Sequence, residues 1–210
     1  MKKRIHIATP KSVTEPATDG RLRRSVVTRE RIINAAFDLI LEGCVAPTGK
    51  QLAARAGTTL RTLFRQFNDM DSLYSEMTQV LDGMLTPSLP PRMVGDIWQK
   101  RLIDSLDLRA ELYERLSLIH LASIARRHES IVIQTNMQLA TKRQRQSLRR
   151  LLPPELAKDE NLFEALDQAM SIEAWIRLRS QQGLSAFKAR KTMIYSMYAL
   201  LERAGVVMPK

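Results

Sequence analysis

Four basic side chains, those of Lys50, Arg55, Arg61 and Arg65, lie within residues 48–67, a stretch that contains no acidic residue. Ammonium and guanidinium groups bind phosphate oxygens, and the planar fork of an arginine can also pair with O6 and N7 of a guanine. The surrounding residues 26–85 are nearly neutral, with six Lys or Arg and seven acids. The clustering therefore predicts that this stretch faces phosphate.

Two short helices are predicted to position these side chains. Thr48 and Gln51 have the spacing of a capping box, which predicts a helix start, and Gly57 can end that helix. A second helix is predicted from Thr58 or Thr59. Their inward faces are formed by Leu52, Ala53 and Ala56 in the first helix and by Leu63, Phe64 and Phe67 in the second. A glycine turn between them lets the second helix leave at a sharp angle.

Two longer helices are predicted to support this pair. The preceding helix begins with Thr28 as N-cap, ends at Gly43 and places its apolar residues on one face. The following helix begins after Asn68 and Asp69, whose side chains can cap it, and it continues to Leu85. Three prolines in residues 86–92 mark a domain boundary. We therefore expect a domain at residues 26–85, preceded by an arm at residues 1–25.

Such a helical domain has two interpretations at this point. In a helix-turn-helix that binds DNA, the second helix lies in the major groove with its amino-terminal residues at the base edges. A three-helix core with no role in DNA binding would also contain short helices and a glycine turn. Spacing alone leaves both interpretations open.

The sequence resembles the TetR family of bacterial transcriptional regulators. The resemblance is carried by "RERIINAAFDLILEGC", then "TGKQLAARAGTTLRTLFRQF", then "NDMDSLYSEM", in the family's order and spacing within residues 29–84. It implies an all-α fold in which a long fourth helix links the DNA-binding domain to a carboxy-terminal helical domain, residues 86–210, for ligand binding and dimerisation. Residues 58–64 would form the recognition helix.

The resemblance also implies roles for individual residues. Thr59, Leu60 and Arg61 would reach base edges, with Arg61 the guanine reader. The other expected contacts, mainly to phosphates, come from Thr48, Lys50, Thr58, Thr62, Phe64 and Arg65. The sequence departs from the family pattern at Phe64, Gln66 and Met70, where a tyrosine, a histidine or tyrosine, and a lysine are usual. These departures remove phosphate donors.

The basic arm could replace the missing donors. Residues 1–25 carry seven Lys or Arg and two acids, and they include Arg21, Arg23 and Arg24. An arm of this kind can track DNA or enter a narrow minor groove. The alternative is a solvated tail, and the sequence leaves both open.

Residues 86–210 are predicted to be helical throughout. Apolar periodicity predicts helices over about 94–106, 108–127 and 129–152, followed by two long helices over 161–183 and 185–205. The ligand pocket is expected to include Trp98, Tyr113, His120 and Met137, and the dimer interface to include Leu166, Trp175, Ile194, Met197 and Leu201. The basic run "KRQRQSLRR" is interpreted as a solvated helix face, with a docking surface as the alternative.

No catalytic or metal-binding pattern stands out. The three histidines and the lone Cys44 lack zinc-ligand spacing, and the acidic residues form no nucleophile–base arrangement. We therefore expect neither an enzyme nor a cofactor. A single cysteine, a start too short for a signal peptide and no long apolar run predict a cytoplasmic protein.

Together these features predict a homodimeric, ligand-responsive repressor that binds double-stranded DNA at a palindromic operator. The effector would be a small molecule. The alternative is a non-specific architectural DNA binder or a helical protein–protein adaptor.

Overall fold

A computed structural model describes residues 20–85 and 97–208. These residues form helices and connecting turns without any strand, which confirms the all-α prediction for this part of the chain. The helices are α1 (Gly20–Leu41), α2 (Gly49–Arg55), α3 (Leu60–Gln66), α4 (Met70–Leu85), α5 (Trp98–Arg126), α6 (Ile131–Leu151), α7 (Pro154–Lys158), α8 (Glu160–Ala169), α9 (Ile172–Ile176) and α10 (Ala186–Arg203).

The described chain divides into two compact units. The first comprises residues 20–85 together with 118–138, and the second comprises residues 97–117 together with 139–208. The segment 118–138 contains the end of α5 and the start of α6. The first unit is therefore discontinuous in sequence, whereas the boundary predicted in residues 86–92 would place segment 118–138 in the second domain.

The first unit has a core built mainly from α1, α2, α3 and α4. Its fully buried side chains include Phe37 of α1, Leu52 of α2, Leu63 of α3 and Leu73 of α4. Ala122 of α5 packs into the same core. The apolar faces predicted for these helices therefore join them, except that Phe64, predicted to pack inward with Leu63 and Phe67, is exposed.

Local sequence signals set most of the helix ends in this unit. The predicted capping box at Thr48 is present at the start of α2, and Asp69 accepts a hydrogen bond from the Ser72 amide (2.7 Å) at the start of α4. Gly57 has a φ of +63°, in the left-handed region that favours glycine. The chain can therefore turn sharply between α2 and α3.

Helix α1 is longer than predicted. It begins at Gly20, so Thr28 is an interior residue whose hydroxyl donates to the Arg24 carbonyl (2.8 Å), and its assignment as N-cap was wrong. Residues 21–27 contain no glycine or proline, and leucine and arginine favour helices. The predicted arm is thus helical over residues 20–25, while residues 1–19 lie outside the described part of the chain.

The second unit is organised around α8 and α10. Its core includes Phe163 and Leu166 of α8, Trp175 of α9 and Met197 of α10, all at most 1% exposed. Leu102 and Leu106 of α5 pack into the same cluster. This unit therefore buries the apolar faces of helices from both ends of its sequence.

Three helix predictions in the second half of the chain were wrong. The two helices predicted over 94–106 and 108–127 form the single helix α5, because no residue near 107 breaks the backbone pattern. The helix predicted over 161–183 is interrupted, because Ser171 caps a new start by accepting a hydrogen bond from the Ala174 amide (3.1 Å). A short π-helical turn follows at Arg177–Gln181. The short helix α7 was not predicted.

Candidate nucleic-acid interface

Helix α3 presents two parallel rows of side chains on its outer surface. Leu60 and Phe64 form an apolar row and are 37% and 43% exposed, while Arg61 and Arg65 form an adjacent, exposed basic row. Each row joins residues four apart, which are neighbours on a helix. The opposite side of α3 is held by the buried Leu63. The predicted base-reading positions Leu60 and Arg61 therefore lie on the outer surface.

Two threonines at the start of α3 bond to each other. The Thr59 hydroxyl accepts a hydrogen bond from the Thr62 amide (3.1 Å) and donates one to the Thr62 hydroxyl (3.0 Å). A hydroxyl has one proton and two lone pairs. In this arrangement the exposed Thr59 can still accept a hydrogen bond, such as one from a base amino group. Thr58, which precedes the cap, is half-buried.

The start of α2 lies next to the apolar row of α3. A β-carbon at position 49 would lie 3.1 Å from Cδ1 of Leu60 and 3.7 Å from Cζ of Phe64. Glycine at this position therefore allows close packing of α3 on α2. On the same helix start, Lys50 is exposed.

Thr48, predicted to touch phosphate, is occupied by the capping box. Its hydroxyl donates to Oε1 of Gln51 (2.8 Å) and accepts from the Gln51 amide (3.3 Å). A hydrogen bond from this hydroxyl to phosphate would require it to give up its hydrogen bond to Gln51. Its observed role is to stabilise the start of α2.

One of the four basic residues in the stretch 48–67 has a carboxylate partner from outside it. Arg55 donates to Oε1 of Glu42 (2.8 Å), which follows α1, and this hydrogen bond raises the pKa of the guanidinium. The absence of acidic residues from residues 48–67 therefore does not leave Arg55 without an acidic neighbour in the fold. The exposed positive charge of this surface comes chiefly from Lys50, Arg61 and Arg65.

Two arginines of α1 hold the ends of α2 and α3. Arg31 donates to the Ala56 carbonyl (2.5 Å) at the end of α2. Arg29 donates to the Gln66 carbonyl at the end of α3, forms an ion pair with Glu76 of α4, and lies over the Phe67 ring at 4.5 Å. A cation at a helix carboxy terminus is favourable because the last carbonyls carry partial negative charge. Both helices are therefore tied to α1 by charged side chains.

The basic start of α1 lies beside the end of α3. Ser25 donates to the side-chain oxygen of Gln66 (2.9 Å), which gives this glutamine a structural role. Arg24 and Arg23, one and two residues before Ser25, are exposed. The side chain of Arg21 lies outside what the structure describes. The arginines that the structure does describe here thus extend the positive surface from α3 onto α1.

The segment 118–138 supports the same unit from another direction. Arg126 donates to the Ala46 carbonyl (3.2 Å), just before α2. Ser130 donates to Asp71 at the start of α4 (2.5 Å), and Asn136 donates to Thr78 farther along it (2.8 Å). These contacts could not be predicted from the sequence, because no local pattern relates positions about 60 to 80 residues apart.

The four residues predicted for a ligand pocket are divided between the units. Trp98 and Tyr113 belong to the second unit, whereas His120 and Met137 belong to the first. The Tyr113 hydroxyl lies 3.0 Å from the Met170 carbonyl and 3.1 Å from Oε1 of Gln144, both acceptors. Burial raises the pKa of this tyrosine. Tyr113 is therefore a core residue of the second unit that donates its proton within the chain.

Four of the five residues predicted for a dimer interface are core residues of the second unit. Leu166, Trp175, Met197 and Leu201 are at most 1% exposed within a single chain, which leaves no side-chain surface for a partner. The fifth, Ile194, is half-buried. Periodic apolar residues suit a core and an interface equally. The large exposed side chains on α10 are instead Phe187 and Tyr195.

The basic run of α6 is partly used inside the second unit. Arg145 pairs with Glu164 and Asp167 of α8, and Arg149 donates to the Ala157 carbonyl (3.1 Å) and lies over the Phe163 ring. Lys142 and Arg150 are exposed. Part of the run therefore contacts α7 and α8, and part of it is exposed.

Two further findings concern the kind of site that the chain could carry. Among residues 20–85 and 97–208, no three or more His, Cys, Asp or Glu side chains are grouped so that they could hold a metal ion. Within the same residues, no helix combines the length and apolar character needed to cross a membrane. In comparisons with known proteins, neither a family model nor a curated protein sequence matches this chain.

Proposed function

We propose that this chain is a sequence-specific DNA-binding transcriptional regulator of the TetR type, with α2 and α3 as its helix-turn-helix. The observation that carries the proposal is the outer surface of α3, where exposed arginines stand beside exposed apolar side chains. The buried Leu63 and the α1 arginines hold that surface in place. The resemblance of residues 29–84 to the family supports the same function.

In the proposed complex, α3 lies in the major groove. Arg61 pairs with O6 and N7 of a guanine, and the remaining lone pair of Thr59 accepts from a base amino group. Lys50, Arg65 and the arginines at the start of α1 bind phosphates and set the orientation of the helix. Phosphate contacts would make affinity fall as salt concentration rises.

The proposed regulator is a homodimer acting in the cytoplasm. A two-fold dimer presents two recognition helices to two half-sites, so its operator is an inverted repeat. A small molecule bound by the second unit would favour a dimer whose helix spacing no longer fits DNA, which is repression relieved by an effector. Such coupling requires different effector affinities in the two forms. No catalytic step forms part of this proposal.

Helix α4 and the segment 118–138 are the proposed route of this coupling. Helices α5 and α6 each contribute residues to both units. Arg126 of α5 contacts the loop before α2, while Asn136 of α6 and Ser130, just before α6, contact α4. A shift of either helix would therefore act directly on the elements that hold the recognition helix.

The first experiment is selection of bound duplexes from a randomised DNA pool by the full-length protein at physiological salt. Enrichment of an inverted repeat is the expected result. Recovery of DNA without enrichment would favour an architectural binder, and recovery of none would favour a protein–protein adaptor. Either of these outcomes would overturn the proposal.

Replacement of Arg61 by Ala tests its base-reading role. We expect the variant to lose discrimination at one base pair in each half-site, where a mismatch costs the wild type about 1–3 kcal/mol. Arg127→Ala, which removes another exposed arginine of the first unit, is the matched control. Affinities of both variants for the selected operator and its single-base variants give the comparison. Retained discrimination in Arg61→Ala would remove Arg61 from base recognition.

A further inference from the structure

We propose that Leu60 and Phe64 read the 5-methyl groups of thymines, and that this apolar row accounts for part of the operator specificity. The inference rests on the proposed function, because it assumes that α3 enters the major groove. It adds the chemical class of base that the row recognises and the two side chains responsible.

The apolar row of α3 is exposed. Leu60 and Phe64 are 37% and 43% exposed, although the side of α3 that packs inward already has Leu63. Exposed apolar side chains next to one another form a surface that is stabilised when it is covered. Because they lie four residues apart on one helix, both can contact the same partner.

The start of α2 fixes the position of this row. The hypothetical β-carbon at position 49 would be 3.1 Å from Leu60 and 3.7 Å from Phe64, so both side chains pack over the start of α2. Part of each side chain remains exposed, as are Lys50 and Arg61, the residues that follow Gly49 and Leu60. The row is therefore positioned on the outer face of the helix pair.

The apolar row is chemically complementary to the thymine methyl group. Base edges in the major groove expose hydrogen-bond donors and acceptors, together with the thymine methyl group, which is apolar. A leucine and a phenylalanine cannot bond to the polar groups, but they can cover a methyl. The flanking charges of Arg61, Arg65 and Lys50 favour a polyanion as the occupant, which selects DNA over an apolar protein partner.

The test uses the operator obtained by selection, with deoxyuridine replacing thymidine one position at a time. Uracil keeps the Watson–Crick pairing and lacks only the 5-methyl group. We expect about a fourfold loss of affinity at one or two positions in each half-site, the change that corresponds to 0.8 kcal/mol per buried methyl-sized group. Phe64→Ala and Leu60→Ala should bind thymine and uracil duplexes alike at the position each side chain covers.

Ile131→Ala, which shortens an exposed apolar side chain elsewhere in the first unit, is the control and should keep the wild-type response to uracil. Thermal unfolding of each variant would verify that it is folded. Equal binding of thymine and uracil duplexes by the wild type would overturn this inference and leave the proposed function standing. Uracil sensitivity that persists in both alanine variants would overturn the assignment to these residues. Failure to select any operator would overturn the proposed function itself.

Discussion

Gly57 shows how one residue sets the angle between α2 and α3. Its φ of +63° is costly for other residues, and an added β-carbon would lie 2.8 Å from the Arg31 guanidinium, which itself holds the Ala56 carbonyl. The backbone conformation selects glycine at this position, whereas the guanidinium is the end of a flexible side chain that can shift. The same arginine joins the turn to α1.

We predict that Gly57→Ala destabilises the protein by about 1–2 kcal/mol, because the left-handed conformation crowds a β-carbon. Urea unfolding at pH 7 measures the effect. Gly20→Ala, at a helical glycine with open space around it, is the control and should change stability little. If the two variants are equally stable, the turn tolerates a side chain and the argument from its backbone conformation is wrong.

Leu60 and Phe64 illustrate a different property of single residues. The sequence predicts that Leu63, Phe64 and Phe67 all pack inward, but only Leu63 and Phe67 are buried. A phenylalanine in a short helix does not reveal by its identity which side it faces. Whether Phe64 is exposed depends on how α3 packs against its neighbouring helices.

Among the helices, α1 acts as the frame for the other elements of the first unit. It buries Phe37 in the core and uses Arg29 and Arg31 to hold the carboxy-terminal ends of α3 and α2. Arg29 also reaches Glu76, so three helices meet at one guanidinium. The position of α3 therefore depends on a side chain of α1.

Arg29→Met should keep the aliphatic stem and remove the charge, so we expect a loss of about 1 kcal/mol in stability. This figure is reduced for solvent screening, since the Arg29 side chain is 36% exposed. We also expect weaker operator binding, because α3 is no longer held at its end. Unfolding curves and DNA titrations measure the two effects. Arg127→Met is the matched control, and equal affinities of the two variants would contradict a positioning role for Arg29.

Across the whole molecule, charged side chains tie together helices that are distant in the sequence. In the second unit, Arg179 pairs with Glu114 of α5, and the Trp175 indole donates to the same carboxylate (3.2 Å). Arg190 of α10 donates to Asp107 of α5 (2.7 Å). These contacts lie at the edge of the core, where the charged groups keep access to water.

Acidification should weaken the second unit through Glu114. Its pairing with Arg179 lowers the pKa of the carboxyl from the ordinary 4.5. The stabilisation is therefore fully present above about pH 4.5 and is lost as the pH falls through the lowered, folded-state value. The Glu114 side chain is 46% exposed, so the screened contribution is at most about 1 kcal/mol.

Glu114→Gln should accordingly reduce stability at pH 7 and make it less sensitive to acid. Tryptophan fluorescence during urea unfolding at pH 7 and pH 3.5 reports the change, since Trp175 is buried beside the carboxylate. Glu111→Gln, an exposed position on the same helix, is the control. If the free energy of unfolding falls between pH 7 and pH 3.5 by the same amount in Glu114→Gln as in the wild type, the pair does not contribute to the acid response.

The sequence by itself determined the all-α class and most helix ends of the first unit. Those features depend on neighbouring residues: Thr48 with Gln51, Asp69 with Ser72, and a glycine at the turn. Helix boundaries could not be predicted where the local sequence is equally compatible with one long helix and with two shorter ones. No signal near residue 107 separated one long helix from two, and Ser171 resembled an ordinary helical serine until it capped a new start.

Tertiary structure alone decided which apolar residues are core and which are surface. The residues predicted for a dimer interface on α8, α9 and α10 share the periodicity of a core, and the fold buries Leu166, Trp175 and Met197 within one chain. It also decided that segment 118–138 belongs with residues 20–85, and that Arg29 and Arg126 contact backbone far away in the sequence. Such contacts depend on the packing of complete helices, and packing is a property of the folded chain that no local spacing encodes.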